Sequence, residues 1–222
     1  DKLEDKMRLI ELCLTMAYDG KVNFTDVLGQ VRYWDNMIYN HLRKKRVVIP
    51  QKKEHEKSEK FEGAYVKDPQ VGMHKWIMSF DLNSLYPHLI MQYNISPETL
   101  VDGCEMKEGM VDKILDGKVK PNKDYCMTPN GAFFRKDIRG FLPELMEKVY
   151  DDRVKYKKLM LEAKQEYENT GDAAILKRIS RYENIQMAKK ISLNSAYGAI
   201  GNSYFRYFDL MVATAITSSG QL

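Results

Sequence analysis

Ser79-Phe80-Asp81-Leu82-Asn83-Ser84-Leu85-Tyr86-Pro87 and, farther along, Lys190-Ile191-Ser192-Leu193-Asn194-Ser195-Ala196-Tyr197-Gly198 are the two stretches whose reading decides the fold. In the first, a carboxylate follows the apolar run Trp76-Ile77-Met78-Ser79-Phe80, which reads as a strand inside a sheet. Pro87 suits the first turn of a short helix, and backbone N–H groups in such a turn can bind phosphate. An isolated Asp after a strand is most often a turn or cap residue. A carboxylate there can also hold a divalent cation, while Arg and Lys on nearby helices hold the phosphates that the cation binds.

Between the two stretches the pattern predicts a helical hairpin. Gly140-Phe141-Leu142-Pro143-Glu144 has the Pro and the acid of a helix start, and the helix should run to about Asn169. Gly171 can end it in a left-handed conformation, and Asp172 can cap a second helix that continues through the motif near Asn194. On the first helix Leu142, Met146, Val149, Arg153, Lys157 and Met160 share a side, so two cations interrupt an apolar stripe. Snorkelling of long stems along the core explains this; so does a cleft holding an anion such as a triphosphate. On the second helix Glu183, Gln186, Lys190, Asn194 and Tyr197 form a polar stripe beside Ile175, Tyr182, Ile185 and Leu193. The stripe is a solvated face or a binding face, and Tyr197-Gly198 suits stacking against a base pair.

Farther out, Leu3, Met7, Ile10, Leu14, Ala17 and Tyr18 recur as on one helix face, and a second helix is expected from Asp26. It would bury Val27, Leu28, Val31, Trp34, Ile38 and Leu42, with Asn23 or Thr25 as its cap. Residues 50–62 read as a charged surface loop, Ala64-Tyr65-Val66 as a strand, and Tyr125-Cys126-Met127 with Ala132-Phe133-Phe134 as a hairpin around Asn130-Gly131.

Composition narrows the field. The 222 residues are 44% hydrophobic and 30% charged, which excludes a wholly disordered chain. No apolar run is long enough to cross a bilayer and no secretory core opens the sequence, so no membrane partner and a cytoplasmic location are expected. Cys13, Cys104 and Cys126 form no C-x-x-C pair and read as free thiols. The four histidines lack the close helical pair of a zinc hydrolase, and none is given a catalytic role. A net charge of +4 is compatible with a polyanionic partner without identifying one.

Taken together, Asp81-Leu82-Asn83-Ser84-Leu85-Tyr86-Pro87 resembles the first palm motif of the family B DNA polymerases, of the type found in large tailed bacteriophages. Lys190 through Gly198 is similar to the fingers motif K-x-x-x-N-S-x-Y-G of that family. Asn94-Ile95-Ser96-Pro97-Glu98-Thr99, Gly63-Ala64-Tyr65-Val66-Lys67 and Phe205-Arg206-Tyr207-Phe208-Asp209-Leu210 extend the resemblance over nearly all of the chain. It implies an α+β fragment of a polymerase: N-terminal helices over 1–49, a partial palm over 50–141, a fingers hairpin over 142–200 and the start of a return to the palm over 201–222. It also implies that Asp81 ligates both magnesium ions of a two-metal site and that the Leu82 carbonyl ligates the nucleotide-associated one. Ser84 and Leu85 amides would hold triphosphate oxygens, and Tyr86 would stack beneath the incoming sugar and exclude a ribose 2′-hydroxyl. Arg153, Lys157, Lys190 and Asn194 would grip the triphosphate, and Tyr197 and Gly198 would border the nascent base pair. Primer–template DNA and a deoxynucleoside triphosphate would be the partners.

The sequence departs from that pattern in lacking the second palm motif, Y-x-D-T-D, and the thumb; within the first motif Asn83 and His88 replace commoner residues. The expectation is therefore a nucleotide-binding half-site, inactive alone and completed by a second polypeptide carrying the absent palm and thumb, with self-association through exposed palm surface open. A DNA- or nucleotide-binding module without catalysis is the alternative. A basic structural protein would show no metal-dependent nucleotide affinity.

Overall fold

The computed structural model describes Glu4, residues 8–52, Gly63 and residues 66–222. Seven helices and one two-stranded sheet organise these residues: α1 (Leu9–Gly20), α2 (Gln30–Lys44), α3 (Leu85–Tyr93), α4 (Met110–Leu115), β1 (Tyr125–Met127), β2 (Phe133–Arg135), α5 (Phe141–Thr170), α6 (Ala174–Ile200) and α7 (Leu210–Gly220). The fold is α+β and mostly helical.

The long α5–α6 hairpin is the frame, with the most extensive helix–helix contact among the described residues. Gly171 ends α5 at φ 68, its N–H bonded to the Tyr167 carbonyl, and the Asp172 carboxylate accepts the Ala174 N–H where α6 begins. At the far end Met160, Ala163, Ile175 and Ile179 make a small core of their own. At the near end Leu142, Leu145, Met146 and Val149 of α5 join Leu193, Ala196 and Ile200 of α6 in the main core, where α2, α3 and α7 also bury their apolar faces.

Helix α2 enters this core through Tyr33, Trp34, Ile38 and Leu42. It begins at Gln30, not Asp26, and neither Asn23 nor Thr25 caps it; a 3₁₀ turn, Phe24–Asp26, precedes it, and the Asp26 carboxylate is bound to Arg32 instead. Leu28 is exposed. Helix α1 is also rotated relative to expectation. Its buried side carries Leu12, Cys13, Met16 and Gly20, while Ile10, Leu14 and Tyr18 face outward. Two apolar stripes compete on this helix, and Gly20 decides between them: a Cβ there would lie 2.5 Å from the Tyr33 ring, so only a glycine lets α2 approach. Leu3 and Met7 lie outside the described residues.

The expected strand at 76–80 does not form. Residues 66–83 carry no ladder, and Trp76 is 98% exposed with Ile77, Met78 and Phe80 also exposed. An apolar run becomes a strand only when a neighbour takes up its N–H and C=O groups, and among the described residues the one sheet is β1–β2, with a single further bridge between Leu100 and Phe134. Of the other strand expected, Ala64 and Tyr65 lie outside the described residues, as does most of the charged loop. The β1–β2 hairpin is present, pairing Cys126 with Phe134, but its turn is Thr128–Ala132 rather than a tight two-residue one. Gly131 takes φ 89, whereas the Asn130 amide is committed to the Met211 carbonyl and the Thr214 hydroxyl of α7.

One side chain joins the end of α3 to the start of α5. Asn94, 6% exposed and itself at φ 55, donates to the Arg135 and Ile138 carbonyls at 2.7 and 2.8 Å and accepts the Gly140 N–H at 3.0 Å. Tyr207 presents the opposite case. It packs against Phe141 and Phe205, yet its buried hydroxyl has no hydrogen-bond partner among the described residues. Burial, with Asp35 nearby, pushes its phenol up to about 12.

Two stability outcomes follow. Asn94→Ala strands two carbonyls and an amide and should cost about 3 kcal/mol or more in urea denaturation. Tyr207→Phe keeps the ring packing and should leave the neutral-pH midpoint unchanged or higher. The fold retains the neutral phenol, so that contribution is intact below about pH 10 and fades as pH rises through about 12. Thermal unfolding across that alkaline range should fall less steeply for Tyr207→Phe than for the parent chain.

Candidate functional site

A pocket of about 290 Å³ opens where the turn before α3 meets the inner faces of α5 and α6. Asp81, Leu82, Ser84, Leu85 and Tyr86 line it from the turn; Arg153 comes from α5, and Lys190, Asn194 and Tyr197 from α6. The hairpin thus faces its cations toward the turn that carries the acid. Lys157 is exposed one helical turn beyond Arg153 and is outside the lining, as is Gly198.

Each wall has a local cause. Ser84 sits at φ 53, ψ 44 just before α3, and the first-turn N–H groups of that helix have no intrahelical acceptor. The positive end of a helix dipole adds to this, giving the turn an affinity for anions. Arg153 donates from Nη1 to the Ser84 hydroxyl at 3.1 Å, while its buried Nε has no hydrogen-bond partner among the described residues. A half-buried guanidinium with an unused donor at a pocket wall can serve an anionic ligand. Tyr86 is wedged by the Tyr197 ring at 4.7 Å and by Gly220 of α7, where a Cβ would lie 3.3 Å from the Tyr86 ring. Burial pushes the Tyr197 phenol up, and Tyr86 adds to the shift. The Tyr197 ring is therefore a neutral packing surface at physiological pH.

Lys189 and Lys190 are neighbours with opposite surroundings. Lys190 is exposed at the pocket. Lys189 is nearly enclosed and bonds Asp19 of α1 at 2.8 Å and Asp152 of α5 at 3.1 Å. Burial works against its charge, but the two carboxylates outweigh that and hold the ammonium above its usual pKa. This ion-paired node fixes the rotation of α6 and so the direction in which Lys190 points.

Sequence reasoning missed several supports. The Ser192 hydroxyl bonds Tyr33 Oη at 2.8 Å, and Ser195 Oγ accepts from Trp34 Nε1 at 3.1 Å, so the two serines of the second motif hold α2 against α6. Buried Tyr and Trp need partners for their polar ends, and the adjacent Tyr33-Trp34 pair was the available signal. Gly198 lies against the side chain of Gln30, whose Oε1 would lie 2.3 Å from a Cβ at that position, so a larger residue would displace the Gln30 amide.

Asp81 and the Leu82 carbonyl are hard oxygen donors, the type magnesium takes together with substrate phosphates. Among the described residues no group of three or more His, Cys, Asp or Glu stands close enough to hold a metal ion, so the donor set fits such an ion in part. No described helix is long and apolar enough to cross a membrane.

Comparisons agree with this architecture. The chain is 33% identical over 262 residues to the DNA-directed DNA polymerase of Escherichia phage RB69, covering 100% of this chain and 29% of that protein. It is 34% identical over 261 residues to the DNA-directed DNA polymerase of Enterobacteria phage T4, covering 98% of this chain and 29% of that one. The structure of the family B DNA polymerase from the archaeon Pyrobaculum calidifontis superposes with a TM-score of 0.71 at 22% identity, over 99% of this chain and 26% of the other, a likeness of fold. The chain thus spans less than a third of the length of these relatives. The model of DNA polymerase family B matches residues 27–222, and the chain belongs to that family.

Proposed function

We propose that this chain is the nucleotide-binding part of a DNA-directed DNA polymerase, carrying a partial palm over 50–141 and a fingers hairpin over 142–200. The observation that carries the reading is the pocket itself: a carboxylate, a helix N-terminus and two cations from a rigid hairpin converge on one cleft. Phosphoryl transfer needs positioning and charge neutralisation more than covalent chemistry from the protein, and these groups provide both.

In this reading Arg153, Lys190 and Asn194 hold the triphosphate of an incoming deoxynucleotide against the first-turn amides of Ser84 and Leu85. Lys157, farther along α5, meets the outer end of the triphosphate. Tyr86, fixed by Tyr197 and Gly220, would stack beneath the sugar and exclude a 2′-hydroxyl. Tyr197 and Gly198 face the new base pair, which places primer–template DNA alongside α6. Magnesium bound by Asp81 and the Leu82 carbonyl would neutralise phosphate charge and activate the primer 3′-oxygen. Among the described residues no acidic cluster stands at Asp81; in this reading a further carboxylate, carried by additional polypeptide, completes the metal site. The same observation supports the alternative, a module that binds nucleotide or DNA without catalysis. A cytoplasmic setting, where magnesium and deoxynucleotides are supplied, goes with either.

Calorimetric titration with magnesium–dNTP tests the binding step. Arg153→Ala and Lys190→Ala should each weaken affinity by about tenfold or more, the worth of a hydrogen bond to a charged group. Unchanged affinity in both would reject the pocket as a triphosphate site. Primer extension tests the chemistry: none is expected from the 222-residue chain alone, and extension that depends on Asp81 is expected once a polypeptide with the remaining palm and thumb is added. Binding without rescue would favour the non-catalytic module, and extension surviving Asp81→Ala would remove Asp81 from the metal site.

A further inference from the structure

The turn that presents Asp81 and Ser84 to the pocket is held from outside it. Ser84 is a non-glycine residue in the left-handed region, a conformation that persists only where surrounding bonds determine it. Its carbonyl accepts the backbone N–H of His88 at 3.1 Å and also the His88 ring at Nδ1, 2.9 Å away. A carbonyl can only accept, so Nδ1 carries the proton in this contact. The ring of His88 meets Tyr150 edge-on, with centroids 4.6 Å apart and planes at 81°. Tyr150 lies three residues before Arg153, one turn away on α5, and Arg153 bonds the hydroxyl of the same Ser84. Ser84 is therefore attached to α5 twice, through its hydroxyl by Arg153 and through its carbonyl by His88 resting on Tyr150. His88 itself does not line the pocket.

We propose that His88 is a positioning residue for nucleotide binding: by donating from Nδ1 to the Ser84 carbonyl while braced on Tyr150, it fixes the turn so that its free N–H groups face the triphosphate. The inference rests on the reading of the pocket as a triphosphate site. It gives a role to a residue at which this sequence differs from the commoner pattern of the motif. It also makes a distinction that packing alone does not. A ring without Nδ1–H would keep the contact with Tyr150 and lose the grip on Ser84. A short amide would do the reverse, because the Asn side-chain nitrogen reaches about as far along the chain as Nδ1.

The experiment compares His88→Phe and His88→Asn with the parent chain by magnesium–dNTP titration, thermal melting and ¹⁵N NMR of the His88 ring at a pH where it is neutral. The expected result is an affinity about three- to tenfold weaker for His88→Phe, at the value of one hydrogen bond, with its melting midpoint retained. His88→Asn should recover most of the loss, and the parent ring should show the Nδ1–H tautomer. Affinity within about twofold of the parent in His88→Phe, beside a clear loss in Arg153→Ala, would overturn the proposal while leaving the triphosphate site standing. So would the Nε2–H tautomer, or a His88→Asn as weak as His88→Phe. Should the parent chain bind no nucleotide, the reading of the pocket fails first, and the tautomer then decides whether His88 holds the turn at all.

Discussion

The geometry of the site depends on how α3 is tied to the start of α5, and Asn94 is the tie. Helix α3 is only nine residues long, and its N-terminal turn must face cations on a hairpin whose axis it does not share. Asn94 stands at its other end, holding Gly140 and the Arg135 and Ile138 carbonyls in one hydrogen-bonded knot. Ser96 extends it, its hydroxyl bonded to Glu98, whose other carboxylate oxygen accepts the Phe141 N–H. The first-turn amides of α5 thus receive side-chain acceptors from the segment after α3, which caps the helix and places it in one step. A short helix held at its C-terminus by buried polar bonds has its N-terminus placed to within the play of two turns.

The cationic wall is positioned by a different means. Buried ion pairs contribute little net stability, since the cost of desolvation offsets most of the attraction, but they are directional. Lys189, largely enclosed, meets carboxylates from both α1 and α5, so rotating α6 would part its ammonium from both partners. Tyr33 and Trp34 hold Ser192 and Ser195 one and two turns along. With α6 pinned by these contacts, the side chains of Lys190, Asn194 and Tyr197 emerge on the pocket side. The polar residues of the second motif thereby serve two faces of one helix.

The parts legible in the sequence were those governed by local rules. The α5–α6 hairpin, its Gly171 stop and the Asp172 start rest on periodicity and capping, and the β1–β2 pair on short strands around Asn-Gly. What was not legible depended on partners distant in sequence. The rotation of α1 was undecidable from its two stripes because the contact that selects one, Gly20 against Tyr33, belongs to the packing of α2. The run at 76–80 has the composition of a buried strand, but strand formation is settled by a neighbour's hydrogen bonds, which composition does not contain. Asn130 shows the same limit on a smaller scale: its turn was foreseeable, and its bonds to α7 were not. For the site, the motifs indicated which residue types to look for, while the supports at His88, Lys189 and Gln30 emerged only when the helices were brought together.

The two sides of the pocket differ in how firmly they are fixed, and this bears on the order in which the site can work. The Ser84 turn is bonded to Arg153 of α5, and the Tyr86–Tyr197 wall packs against the main core. Asp81 is exposed, and the residues before it place their apolar side chains in solvent. Under the proposed function, a triphosphate would meet a turn and an aromatic wall already in place, at little cost in ordering. Asp81, in contrast, stands exposed, and its electrostatic setting would come from the phosphate oxygens and cation that the proposed function brings to it. Under the proposed function, nucleotide capture would rest on what the helices have already fixed, and metal chemistry on what is brought to Asp81.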